Sequence, residues 1–248
     1  MIDIHAHILP GVDDGAADMD SALEMAAVSA ESGVDTIVAT PHCFASRGQN
    51  LWDNDLLQRM KELKLRIDRA GIPVRLLPGM EIFCEAGTAA GLKTRKLIGA
   101  CGSRYPLVEF EFTDYEEQMT QQLTQICAMG MRPVIAHPER YEYVQYDPTI
   151  INRWVRIGCL LQINRGSLLG RFGRREEVLA RELVERGFVT AVASDAHSPT
   201  MRTPWLADVQ QLLQEEFSPL AAHRLLEEYP RKIINNEEIQ MEEPFWFR

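Results

Sequence analysis

A chain of 248 residues with 46% hydrophobic and 25% charged side chains has the composition of a folded globular protein, which excludes disorder over most of its length. The formal net charge of -10 excludes nucleic acid as the main partner, because phosphate backbones are gripped by a basic face. Five scattered cysteines without a C-x-x-C pair exclude a disulfide framework and a thiolate zinc knuckle, and they fit a reducing, cytoplasmic setting. No charged-then-apolar leader precedes Asp3, and no run approaches the roughly 20 apolar residues that span a bilayer, so no membrane insertion is expected.

In chain order, residues 1–5, 36–40, 74–80, 107–110, 134–136, 160–163 and 190–193 are short runs rich in Val, Ile and Leu that read as strands. Between them, residues 18–32, 53–70, 116–129, 148–157 and 174–186 carry helical patterns, closed by Gly33, Gly71, Gly130, Gly158 and Gly187. Alternating βα units with apolar strands predict a parallel sheet covered by helices, and the unbroken rhythm predicts one closed barrel in one domain spanning 1–248. Residues 203–236 read as two or three outer helices, and the acidic, aromatic residues 240–248 as a short flexible tail.

Five of the six histidines follow strands: His5 and His7 the first, His42 the second, His137 the fifth and His197 the last. A parallel barrel gathers its active groups at that edge. His5 and His7, two apart on extended chain, share a side and can grip one ion together, and Asp195-Ala196-His197 repeats the spacing. Glu81, Glu109 and the pair Asp13-Asp14 stand at matching places. Imidazole with carboxylate suits Mn, Fe, Co or Zn, and these groups are too many for one ion. Glu111 points the same way as Glu109 and competes with it as a ligand, whereas His223, in a helical pattern, reads as a surface side chain.

Asp3-Ile4-His5-Ala6-His7, Val12-Asp13-Asp14-Gly15, Thr40-Pro41-His42, Gly79-Met80-Glu81, Val108-Glu109-Phe110, His137-Pro138-Glu139-Arg140-Tyr141 and Ser194-Asp195-Ala196-His197 together resemble the polymerase and histidinol phosphatase (PHP) superfamily. Within it the chain most resembles the bacterial manganese-dependent protein-tyrosine phosphatases of capsule and exopolysaccharide operons, the CpsB/YwqE type. The resemblance implies a distorted seven-stranded parallel β/α barrel (PHP fold) with three divalent ions, Mn2+ foremost. It also implies that His5, His7, Glu81 and Asp195 hold one ion. Glu81 would bridge to a second ion with Glu109 and His137, and Asp14, His42 and His197 would hold the third. Arg140 and Arg202 match the arginines that grip phosphoryl oxygens, and the implied partner is the tyrosine-rich tail of a membrane-associated bacterial tyrosine kinase. One departure is visible: Cys43 follows His42 where related enzymes can carry a basic residue, and the nearest arginine is Arg47.

Three ions and four ligand carboxylates leave about +2, enough to attract a phosphate dianion into an acidic protein. The expected reaction is attack of metal-bound hydroxide on phosphorus, with the arginines on the non-bridging oxygens and Asp195 or Asp14 as candidate proton donors. Tyr141, Tyr143, Tyr146, Phe44 and Phe172 are candidates to stack on a phenyl ring. Rival readings are a histidinol-phosphate or other small-molecule phosphatase, with Glu111, Asp114 or Glu139 facing the substrate amine, and a non-catalytic regulator that binds a kinase tail. A phosphodiesterase lacks its basic groove here, and an amide hydrolase does not call for two phosphate-gripping arginines. Cys159 and Arg165 satisfy the C-x5-R spacing of cysteine-dependent phosphatases, but the intervening apolar run reads as a buried strand rather than a phosphate loop.

Overall fold

The computed structural model describes residues 1–113 and 116–248. The chain alternates strands and helices, and every strand pairing is parallel. The strands are β1 (Ile2–Ala6), β2 (Thr36–Ala39), β3 (His42–Cys43), β4 (Arg75–Pro78), β5 (Glu81–Phe83), β6 (Leu107–Glu109), β7 (Val134–Ala136), β8 (Leu160–Asn164) and β9 (Val189–Ala193). They form a three-stranded sheet in the order β1-β2-β4 and a six-stranded sheet in the order β3-β5-β6-β7-β8-β9. The parallel α/β class is as expected. The single seven-stranded barrel is not: among the described residues nine strands lie in two sheets, neither closed by its own ladder.

The two extra strands have a local cause. The run expected over 74–80 breaks after Pro78, and the run that ends at Ala39 resumes at His42, so two ribbons of chain pass together from one sheet to the other. Pro41 has no N–H for a ladder, and Gly79 lies so close to the neighbouring ribbon that a Cβ would sit 2.6 Å from Val38 and 3.2 Å from Thr40. Beyond the break the pairing resumes with His42 beside Glu81 and Phe83 beside Glu109. At the other edge, Asp195 N donates to His5 O and His7 N to Ala196 O, both at 2.9 Å, which ties the chain after β9 to β1.

Helices sit where their signals put them. Asp18 and Asp53 cap Met19–Glu31 and Asn54–Ala70 through their side chains, and Gly71 closes the latter in the left-handed conformation. One apolar core runs from Met1 to Ile239. Residues 240–248 lie against it: Phe247 stacks on Phe188 with centroids 5.4 Å apart, and its backbone exchanges hydrogen bonds of 2.9 and 3.1 Å with the Asn152 amide. Among the described residues no helix is long and apolar enough to cross a membrane.

Candidate metal centre

Strand ends and the loops after them bring all nine expected ligand residues together, with His42 and Glu81 opening β3 and β5 where the two ribbons leave β2 and β4. Four overlapping groups have ligand atoms within 4.8 Å of one another: His7 with Asp14, His42 and His197; His5 with His7 and Glu81; His5 with His137 and Asp195; and His42 with Glu81 and Glu109. Glu81 is central, with His5, His7, His42 and His137 nitrogens at 3.2, 3.1, 3.0 and 2.9 Å from its oxygens. The grouping differs from the expected ligand sets: His7 also joins Asp14, His42 and His197, His137 joins His5 and Asp195, and Glu109 joins His42. Glu109 lies 2.7 Å from His42 Nδ1 and 3.9 Å from His137 Nε2, so its near neighbour is His42. Of the two competing carboxylates, Glu109 is buried within one of these groups whereas Glu111 is exposed.

Backbone shape serves the same end. His137, immediately after β7, and Asp195, two residues past the end of β9, hold φ values of 35° and 50°, left-handed conformations that non-glycine residues adopt at a cost. The Val12-Asp13-Asp14-Gly15 loop folds back on β1 because Gly15 has no side chain: a Cβ there would lie 2.1 Å from His7 O. That fold gives the two aspartates different work. Asp14 Oδ1 faces His42 and His197 at 3.5 and 3.4 Å. Asp13 instead accepts from His7 Nδ1 at 2.7 Å and from the His42 backbone N–H at 2.9 Å. Asp13 thus orients a histidine from behind, a role the sequence reading did not assign.

Hydrogen bonds behind the rings also fix where the lone pairs point. His7 donates from Nδ1 to Asp13 and His197 from Nδ1 to the Asp195 carbonyl at 3.0 Å, which leaves Nε2 of each directed into the cluster. His5 Nε2 and His7 Nε2 face each other at 3.2 Å. Among the described residues, the buried atoms His42 Nδ1, Glu81 Oε2 and His137 Nδ1 have no hydrogen-bond partner of good geometry. Converging nitrogen and carboxylate lone pairs repel unless a positive charge lies between them, so this donor set fits divalent cations.

The carboxylates and histidines of the cluster shift one another strongly. Burial would depress the His5 and His7 imidazoles, but Glu81 and Asp195 beside His5, and Asp13, Asp195 and Glu81 beside His7, outweigh it and raise both. His42, against the same burial, is raised to about 10 by Glu109 and Glu81. His197 is lowered to about 4 by burial and by His7 nearby, which keeps it neutral and ready to ligate. Burial would raise Glu81 and Asp195, yet the histidines hold both well below the usual carboxylate range, joined for Asp195 by Arg202. The histidines and Arg202 beside Asp195 thus favour its ionised form.

Both expected arginines stand at the rim. Arg140 Nη1 lies 3.5 Å from Asp195 Oδ2, and Arg202 Nη2 pairs with the same oxygen. The Arg140 guanidinium is held between the rings of Phe112 and Phe172, 4.7 and 4.8 Å from their centroids, and Arg202 lies 5.8 Å from Phe172. A cavity of about 340 Å³ touches Phe112, Arg140, Phe172 and Arg175. It shares Glu142, Gln145 and Arg175 with a larger one of about 970 Å³ that continues past Tyr143 and Tyr146.

Several sequence candidates have other work. Tyr141 is fully buried, donating to Ala136 O at 2.9 Å, and cannot stack on a substrate. Glu139 is sealed in the core, accepting from Asn164 N and Ser167 Oγ at 2.9 and 2.7 Å, and is not available to an amine. Asp114 lies outside the described residues. Arg47 stacks on Phe44 at 4.7 Å. His223 is exposed, as expected. Cys159 precedes β8 at the opposite end from the cluster, is buried, and has its thiol raised by Cys127 and by burial. Arg165 is engaged with Asp208 at 2.7 and 2.5 Å. C159S is expected to keep full activity; a folded but inactive variant, read in a steady-state assay, would restore the thiol mechanism.

A parallel α/β protein whose strand ends gather histidines and carboxylates beneath two arginines has the donor set of a metal-dependent enzyme suited to anionic substrates. Its membership is specific: residues 1–235 match the family model for capsular polysaccharide synthesis, CpsB/CapC, and the chain belongs to that family. It is 33% identical over 247 residues to the tyrosine-protein phosphatase YwqE of Bacillus subtilis, covering 98% of this chain and 95% of that one. To the tyrosine-protein phosphatase CpsB of Streptococcus pneumoniae it is 30% identical over 246 residues, 96% and 99% of the two chains. A crystal structure from the work on YwqE and CpsB, described as unique metal-dependent tyrosine phosphatases, superposes with a TM-score of 0.94 at 33% identity over 100% of both chains.

Proposed function

We propose that this chain is a metal-dependent protein-tyrosine phosphatase of capsule or exopolysaccharide synthesis, acting as one domain in the cytoplasm. The observation that carries the reading is the convergence of nine ligand side chains beneath two half-buried arginines, in a chain alignable from end to end with tyrosine phosphatases. We assign His5, His7, Asp14, His42, Glu81, Glu109, His137, Asp195 and His197 as ligands of three divalent ions, Mn2+ foremost. The two sheets, tied at Asp195–His5, serve as a distorted barrel around them. Bound there, divalent cations supply positive charge for the phosphoryl oxygens and lower the pKa of water near neutrality.

The protein's own groups do the rest. Arg140 and Arg202 release Asp195 Oδ2 to grip phosphoryl oxygens in forked pairs, with Phe112 and Phe172 keeping the Arg140 plane in place. The connected cavities beyond Arg140 give room for polypeptide on one side of a phosphotyrosine, which favours a protein substrate over a small ester. A tyrosine-rich tail of a membrane-associated kinase fits that description. Intact, correctly aimed ligands speak against a regulator with a dead site.

The test is hydrolysis of a phosphotyrosine peptide against histidinol phosphate at equal concentration by the manganese-loaded protein. Preference for the peptide is expected. Preference for histidinol phosphate would leave the metal centre standing and overturn the substrate.

A further inference from the structure

Strand β8 supplies no ligand, yet its two amide side chains face the cluster. Gln162 and Asn164 are fully buried and two residues apart on extended chain, hence on the same side. His5 Nδ1 lies 2.8 Å from Gln162 Oε1, Gln162 Nε2 lies 2.9 Å from Asn164 Oδ1, and Asn164 Nδ2 lies 2.6 Å from Asp195 Oδ2.

The direction of this chain is given by its hydrogen bonds: Asn164 donates its NH2 to Asp195 Oδ2 and turns its oxygen toward Gln162. Gln162 must then donate to Asn164 and present its own oxygen to His5. His5 is left one choice, to donate from Nδ1, which puts its lone pair on Nε2. That nitrogen is the one 3.2 Å from Glu81 Oε1 and 3.4 Å from Asp195 Oδ1. Asp195 therefore meets His5 twice, across the cluster through Oδ1 and through the two amides from Oδ2. Asn164 also donates its backbone N–H to buried Glu139, which pins the relay to the turn carrying His137 and Arg140.

We propose that Gln162 and Asn164 are positioning residues that lock His5 in the Nε2-ligating tautomer and thereby set the affinity of the cation site His5 serves. The proposal rests on the metal-centre reading above. His7 is held by a carboxylate, Asp13, whereas His5 is held by a neutral amide, so the relay orients a ligand without adding negative charge beside Asp195 and Glu81. An outer hydrogen bond of this kind is worth roughly 10- to 100-fold in metal affinity.

The experiment is competition of the wild type, Q162M and Q162E with a chromophoric chelator for Zn2+, with folding checked by near-ultraviolet circular dichroism. Imidazole 15N spectra of the zinc-loaded proteins report the His5 Nδ1 proton. Q162M, nearly the same shape without a hydrogen-bonding oxygen, is expected to weaken the tightest site roughly 10-fold or more and to lose the slowly exchanging Nδ1 proton. Q162E keeps an acceptor for His5 and is expected to bind more tightly than Q162M and to retain that proton. Wild-type affinity in folded Q162M, or equal losses in Q162M and Q162E, would overturn the proposal. Should Q162M fail to fold, Q162N decides: its oxygen is drawn back from His5, the same loss is expected, and wild-type affinity contradicts the relay. These readouts do not depend on which ester is cleaved. A wild-type chain that takes up no cation would overturn the metal-centre reading itself.

Discussion

Replacing Glu81 by glutamine should lower kcat/KM on a phosphotyrosine peptide on the order of 10³-fold and reduce the metal content per chain. The size follows from position. Glu81 is fully buried and its oxygens face nitrogens of His5, His7, His42 and His137, so one substitution removes the charge that serves several ligand groups at once. Loss of cation charge at a phosphoryl centre costs several kcal/mol of transition-state stabilisation, and each 1.36 kcal/mol is about tenfold in rate. Glutamine keeps the shape, so the core of Ile82 and Met80 beside it stays packed. Steady-state kinetics together with elemental analysis of the purified variant check this. Activity within about tenfold of the wild type would show that Glu81 is not the central bridge.

The second large effect is expected at the rim. R140A and R202A should each lower kcat/KM roughly 10²- to 10³-fold, the usual loss for one preorganised donor at a developing oxyanion, with metal content unchanged because neither is a ligand. R140K should recover little, since an ammonium neither forks onto two oxygens nor lies flat between Phe112 and Phe172. Parallel loss of metal and activity would instead make the arginines supports for Asp195, the carboxylate both now contact.

The clustering of these residues is legible because strand ends are readable from apolar runs, and a parallel sheet sends those ends to one edge. His5 and His7 illustrate it: spacing alone put them on one side, and their Nε2 atoms face at 3.2 Å. What sequence could not supply was pairing across distant segments. The break at Gly79 depends on Val38 and Thr40 coming within contact of it, so a run over 74–80 read as one strand becomes β4 and the approach to β5. Asp13 and Asp14 are chemically alike, and only the fold of the loop on Gly15 separates the residue that orients His7 from the one that faces the cluster.

Gln162 and Asn164 are hidden for a different reason: the run over 160–163 reads as apolar and stops one residue short of Asn164. A signal was present, since two amides at alternate positions in a strand otherwise made of Leu and Ile must find partners in the interior. Glu139 and Tyr141 erred the other way. Polar groups in a loop after β7 look like substrate contacts, and only burial against β8 and Ala136 reveals them as braces.

The most direct measurement is to strip the protein with a chelator, verify by elemental analysis that it is metal-free and by circular dichroism that it is folded, and then add back Mn2+ in steps. Activity on the phosphotyrosine peptide should be absent at first and rise in proportion to bound metal. Full activity in the metal-free protein would contradict the account.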